Sequence, residues 1–112
     1  MTTGVLKFKH EDIDINLYLT HDAFFTQIEE TIKKVIPDLI DEGMEDNIDY
    51  LATFFLIKAR EEGWDVVIGS YLIDKDDYTF LITFNKNYNG IVLFNKEPLN
   101  GEKEKAEIMF QN

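Results

Sequence analysis

YTFLITFNKNYNGIVLFN, residues 78–95, decides the fold class. Tyr78, Phe80, Ile82 and Phe84 fall on one face of an extended chain, and Thr79, Leu81 and Thr83 fall on the other. That period of two is the pattern of a strand with one buried face. Residues 85–90 then turn the chain, with Asn89-Gly90 as a hairpin signal. Residues 91–95 return as a second strand, so antiparallel pairing is expected.

The same pattern extends outward. Residues 66–73 form a strand upstream, joined by the turn Asp74-Lys75-Asp76-Asp77. Downstream, a loop rich in Pro, Gly, Lys and Glu leads to residues 106–110, a final edge strand. At the other end of the chain, residues 5–9 form a short strand and His10-Glu11-Asp12 a polar turn. Ile13, Ile15, Leu17 and Leu19 then alternate with Asp14, Asn16 and Tyr18, which completes an N-terminal hairpin.

Between these β regions the spacing becomes helical. Phe24, Ile28, Ile32, Val35 and Leu39 line one face, and Thr20 or Asp22 can cap the helix. Glu29–Lys33 and Glu30–Lys34 are i,i+4 pairs with the acid on the better, N-terminal side. Pro37 disfavours helix at Ile36, so the helix is expected to stop or kink there. Residues 37–42 then form a separate short turn, with Pro37 first, Asp38 at its positive end and Gly43 closing it. Asp46 or Asn47 caps a second long helix that ends near Gly63. Its main stripe is Ile48, Leu51, Ala52, Phe55 and Ala59. A second stripe, Tyr50, Phe54 and Ile57, lies on roughly the opposite side. That predicts either a helix held between the first helix and the sheet, or a stripe that meets a partner. The expected fold is one α+β domain over residues 1–112. It has a mainly antiparallel sheet of four to six strands and two long helices on one face, in the order ββααβββ(β).

Composition sets limits on function. The 112 residues carry 22 acids against 11 bases, for a net charge of −11, and no cysteine. Phosphate backbones and anionic membranes repel such a chain, so no direct nucleic-acid binding and no membrane partner are expected. A basic protein partner is favoured, because opposite fields steer encounter. The N-terminal segment lacks a signal peptide's apolar run, and no apolar run approaches a membrane span, which predicts a soluble, cytoplasmic protein.

No catalytic signature emerges. Ser70, the only serine, lies mid-strand without the glycine pattern of a nucleophile elbow. His10 and His21 flank the second strand at opposite ends, so a shared site is not expected. From Asp74, the EF-hand positions that need Gly and Glu are Thr79 and Asn85, and the calcium motif fails. The phosphate-binding glycine loops are absent. No metal or cofactor is implied, and a non-enzymatic role is expected.

Excess acid is densest in PDLIDEGMEDNID, residues 37–49, which holds six carboxylates and no base. Asp38 and Asp46 have helix-end roles available. Asp41, Glu42, Glu45 and Asp49 have none, and together with Tyr50 they form a candidate partner-binding ridge, with Tyr88 as a second aromatic anchor. In size and charge, though through no motif, the chain resembles bacterial immunity proteins that neutralise nuclease toxins. Phage inhibitors of host defence nucleases, some of them DNA mimics, share that profile. The expectation is therefore an inhibitor that occludes a basic nuclease or toxin. The alternative is an assembly module, a homodimer formed through Tyr50, Phe54 and Ile57 or through exposed sheet edges.

Overall fold

The alternating segments pair as their periodicity requires. A computed structural model describes residues 3–20, 24–69, 78–98 and 101–111. In it β1 (Gly4–His10) and β2 (Ile13–Leu19) form the N-terminal hairpin, turned at Glu11 with φ 55°. Two helices follow, α1 (Phe25–Asp41) and α2 (Ile48–Glu61). The short strand β3 (Val66–Ile68) pairs with β2. Next come β4 (Tyr78–Phe84), β5 (Gly90–Asn95) and β6 (Lys105–Met109). The sheet order is β3-β2-β1-β4-β5-β6. Every pairing is antiparallel except β1 with β4, which runs parallel from Gly4 opposite Tyr78 to Phe8 opposite Ile82. The expected α+β class, the order of elements along the chain and the final edge strand are all present. Among the described residues no helix is long and apolar enough to cross a membrane.

Both helices cover one face of the sheet. Leu6, Phe8, Leu17, Leu19, Phe80, Ile82, Ile91 and Leu93 bury that face against Phe25, Ile28, Ile32, Val35, Leu39, Leu51 and Phe55. Phe8 meets Phe55 edge-on at 5.7 Å between ring centres, and Trp64 closes the other side of Phe55 at 6.3 Å. Fully burying one such side chain stabilises the fold by about 1.5–3 kcal/mol. The central strands β1, β4 and β5 contain no acid, which leaves the carboxylates to the helix layer, the turns and the outer strands.

Three local expectations change. First, α1 does not stop at Pro37. It runs through Pro37 as one helix of 17 residues. Proline removes one donor and costs about 3 kcal/mol in a helix interior, yet Val35, Ile36 and Leu39 are all buried in the core, and that burial outweighs the loss. Asp38 consequently lies in the last turn of α1 and not in the first turn of a separate helix. Second, Thr20 does not cap α1. Thr20 Oγ1 donates to Asp65 Oδ2 at 2.9 Å, and Asp22 lies outside the described residues. The N-cap is Phe24, without a side-chain bond, and Phe25 N–H donates to Glu102 Oε2 at 3.3 Å. A carboxylate 77 positions away in sequence thus serves the helix N-terminus. Third, β3 is described only as Val66–Ile68. Gly69 is described but is not part of the strand, and the rest of the expected strand with Ser70, like the Asp74–Asp77 turn, lies outside the described residues.

Both helix ends close in the same way. Gly43 N–H donates to Ile40 O at 3.0 Å and Met44 N–H to Leu39 O at 2.9 Å. Gly63 to Arg60 and Trp64 to Ala59 repeat the pair at α2. These are Schellman bonds, and they require a left-handed residue, here Gly43 at φ 69° and Gly63 at φ 89°. Asn47 caps α2 by accepting from Tyr50 N–H at 3.1 Å.

Candidate functional site

The continuous α1 changes where the acids stand. Its C-terminal turn holds Asp38 and Asp41 and no base, so two carboxylates lie at the negative end of the helix dipole. Helix α2 is arranged the opposite way, with Asp49 in its first turn and Lys58 and Arg60 in its last. The two helices run antiparallel side by side, tied at the far end by the Lys34–Glu62 ion pair. Between them opens a cleft of about 430 Å³. Asp38, Asp41 and Glu42 form its α1 wall, and Phe54, Ile57, Lys58 and Glu61 form its α2 wall. Lys58 already pairs with Glu61 at 3.7 Å. Among the described residues no cation forms an ion pair with Asp38, Asp41 or Glu42.

The second stripe of α2 borders this cleft. Helix α2 packs against the sheet beside α1 and is not held between them, so the stripe stays at the surface. Tyr50 is 38% exposed and Ile57 52% exposed. Phe54 is partly buried, with the Tyr50 ring 5.8 Å away. An apolar rail therefore runs along one wall of an acidic cleft, and it joins two sets of residues that the sequence had kept apart: Asp41 and Glu42 from the ridge, Phe54 and Ile57 from the stripe.

The rest of the ridge goes elsewhere. Asp49 is exposed on the first turn of α2, where it complements the dipole. Glu45 turns to the opposite flank of α1 and lines a second cleft of about 350 Å³ with Ile40, Tyr88, Met109 and Phe110. Its Oε2 is shut from solvent and accepts no hydrogen bond among the described residues. Tyr88 belongs to that flank as well. It takes φ 55° in the 85–89 turn and is 53% exposed. The His10 ring, 5.5 Å from Tyr88 and 5.0 Å from Phe84, supports it from behind. Asn85 fixes the turn by donating to Asn89 Oδ1 at 2.7 Å and accepting from Asn89 N–H at 3.0 Å. Tyr88, and not the Asn89-Gly90 pair, is the left-handed residue here. Gly90 is needed for space: a Cβ there would sit 2.8 Å from Ile108 O.

Sequence reasoning thus assigned Asp38 to the wrong end of a helix and left Glu61 out of the candidate ridge. Both were within reach of helical spacing. Asp38, Asp41 and Glu42 share a face once α1 continues, and Ile57 and Glu61 are i,i+4. His10 packs against Phe84 and Tyr88, and its partner in sequence, His21, lies outside the described residues. Among the described residues no group of three or more His, Asp or Glu is placed to hold a metal ion. No protein-family model matches this chain, no curated protein matches it, and no solved structure matches it.

Proposed function

We propose that this protein is a non-enzymatic inhibitor that binds a basic protein surface through the cleft between its two helices, the favoured setting being an immunity-type partner of a nuclease toxin. The observation that carries this reading is the pairing of unneutralised carboxylates with an exposed apolar rail. Asp38, Asp41 and Glu42 hold negative charge at the unfavourable end of a helix dipole, where each weakens the helix. A partner's Lys or Arg relieves that repulsion, while Tyr50 and Ile57 supply the apolar contact area that charge alone lacks. Charge of this kind mainly accelerates encounter. A DNA mimic needs carboxylates spaced like phosphates over a long surface. Here Asp41 and Glu42 stand on one flank of α1 and Glu45 on the other, which favours a local docking site over mimicry.

The test is affinity capture with the products of neighbouring genes, followed by titration of whatever basic protein is recovered. The triple variant Asp38→Asn/Asp41→Asn/Glu42→Gln should weaken binding tenfold or more, about 1.4 kcal/mol, mainly through a slower association rate. Tyr50→Ala should act mainly on dissociation. Unchanged affinity in both variants, or recovery of nothing but copies of the chain itself, removes the cleft from consideration.

A further inference from the structure

The outer edge of the sheet carries a pattern that the inter-helix cleft does not use. Strand β6 is bonded to β5 on one side only. Asn95 N–H donates to Glu104 O at 2.8 Å and Phe110 N–H to Asn89 O at 3.0 Å. Those two bonds fix the phase of the ladder between them. Leu93–Ala106 and Ile91–Ile108 are the hydrogen-bonded pairs. Phe94–Lys105, Val92–Glu107 and Gly90–Met109 are the non-bonded ones. The backbone N–H and C=O groups of Lys105, Glu107 and Met109 therefore point away from the sheet, and no described strand lies beyond them. Helix α1 does not cover this side: a cleft of about 610 Å³ separates it from the strand, with Ile36, Pro37 and Ile108 among its lining.

Proteins blunt such edges with like charges, proline or bulges. Strand β6 has no proline, and its register with β5 is unbroken. It carries instead two opposite charges, two residues apart, on the face away from the helices. Both are already held in place: Lys105 Nζ lies 5.7 Å from the centre of the Phe94 ring, and Glu107 Oε2 accepts from Asn85 at 2.9 Å. A Lys-x-Glu strand is self-complementary under two-fold rotation.

We propose that β6 pairs antiparallel with β6 of a second copy about a two-fold axis at Ala106, so that the two sheets become one continuous sheet. The outward groups of residues 105, 107 and 109 must face one another, which restricts the register. A centre at Glu107 sets Glu107 against Glu107, and a centre at Lys105 sets Lys105 against Lys105. Only the centre at Ala106 places Lys105 of each chain opposite Glu107 of the other, twice. Ala106 is also the smallest side chain of the strand, which permits close approach at the axis. The dimer uses the β6 flank of α1 and leaves the inter-helix cleft on its α2 flank open, so it is independent of the inhibitor reading.

The experiment is sedimentation velocity on the full chain across the micromolar range, with circular dichroism to confirm folding. The wild type should dimerise. Glu107→Lys and Lys105→Glu should each weaken the dimer tenfold or more, because each sets like charges face to face. Mixed together, the two variants should form a one-to-one heterodimer, since both contacts are then complementary. Glu107→Pro removes an outward N–H and the carboxylate, but no bond to β5, and should abolish the dimer while leaving the β5 ladder bonded. A monomeric wild type, or single variants that fail to heterodimerise on mixing, overturns the proposal. So does a dimer that is lost on Ile57→Ala and kept in Glu107→Pro, because that result assigns the interface to the α2 stripe.

Discussion

Removing charge from the end of α1 should make the protein more stable. In Asp38→Asn/Asp41→Asn two carboxylates leave the last turn of a helix that has no base there. Each unfavourable helix-end charge costs about 0.3–1 kcal/mol when exposed. The two stand i,i+3, so their mutual repulsion adds about 0.2–0.5 kcal/mol. The sum is about 0.8–2.5 kcal/mol, and for a domain near 100 residues each kcal/mol moves the melting temperature by about 4–8 °C. Thermal melts at low ionic strength should therefore show a gain of about 3 °C or more. The gain should shrink toward zero at 1 M salt, where the screening length is about 3 Å. Asp49→Asn is the internal control. It removes an acid from the first turn of α2, where the dipole favours it, and should cost about 0.3–1 kcal/mol. A double variant less stable than wild type would refute the reasoning, as would a gain indifferent to salt. A stabilised variant that has also lost its partner shows directly that these acids are kept at the expense of the fold.

Two further outcomes follow from the backbone. Gly43→Ala should lose about 1 kcal/mol in urea unfolding, because a side chain at φ 69° is strained although the space around it is empty; a gain would mean that the turn is not left-handed. Pro37→Ala restores a donor for the Lys33 carbonyl, worth about 3 kcal/mol of helix propensity, less about 0.4–1 kcal/mol for a freer unfolded chain. The expected net gain is about 2 kcal/mol by the same measurement, and a loss would show that the proline ring packs in a way that propensity does not describe.

The sheet was legible because strand periodicity is local. Tyr78 to Phe84 declare their buried face without reference to anything distant, while in Ile13 to Leu19 the alternation marks the strand but only Leu17 and Leu19 are buried and Ile13 is exposed. The passage of α1 through Pro37 was not legible, because a local rule about one residue competes there with the burial of Val35, Ile36 and Leu39, which only the folded core reveals. The candidate site failed to read out for a related reason. Asp41, Glu42, Glu45 and Asp49 are neighbours in sequence, but Gly43 turns the chain sharply enough to send Glu45 to the far flank of α1. Tyr88 could not be placed beside Glu45 from sequence, since their approach depends on the β5–β6 end of the sheet meeting the end of α1. The parallel contact of β1 with β4 had no local signal either.

That parallel seam has a consequence for synthesis. Gly4 waits for Tyr78 and Phe8 for Ile82, 74 positions later in each case. At about 5–20 residues per second on the ribosome, β4 is made about 4–15 s after β1. Over that interval the central strand of the finished sheet is an unpaired edge, flanked only by β2. Its interior residues Leu6 and Phe8 are the kind that recruit other nascent chains. Lys7 and Lys9 alternate with them on the opposite face and carry like charge, the device by which permanent edges discourage intermolecular pairing. In the completed protein Lys7 reaches Asn16 Oδ1 at 3.4 Å and forms no ion pair among the described residues. Its charge has its clearest use while the chain is still incomplete.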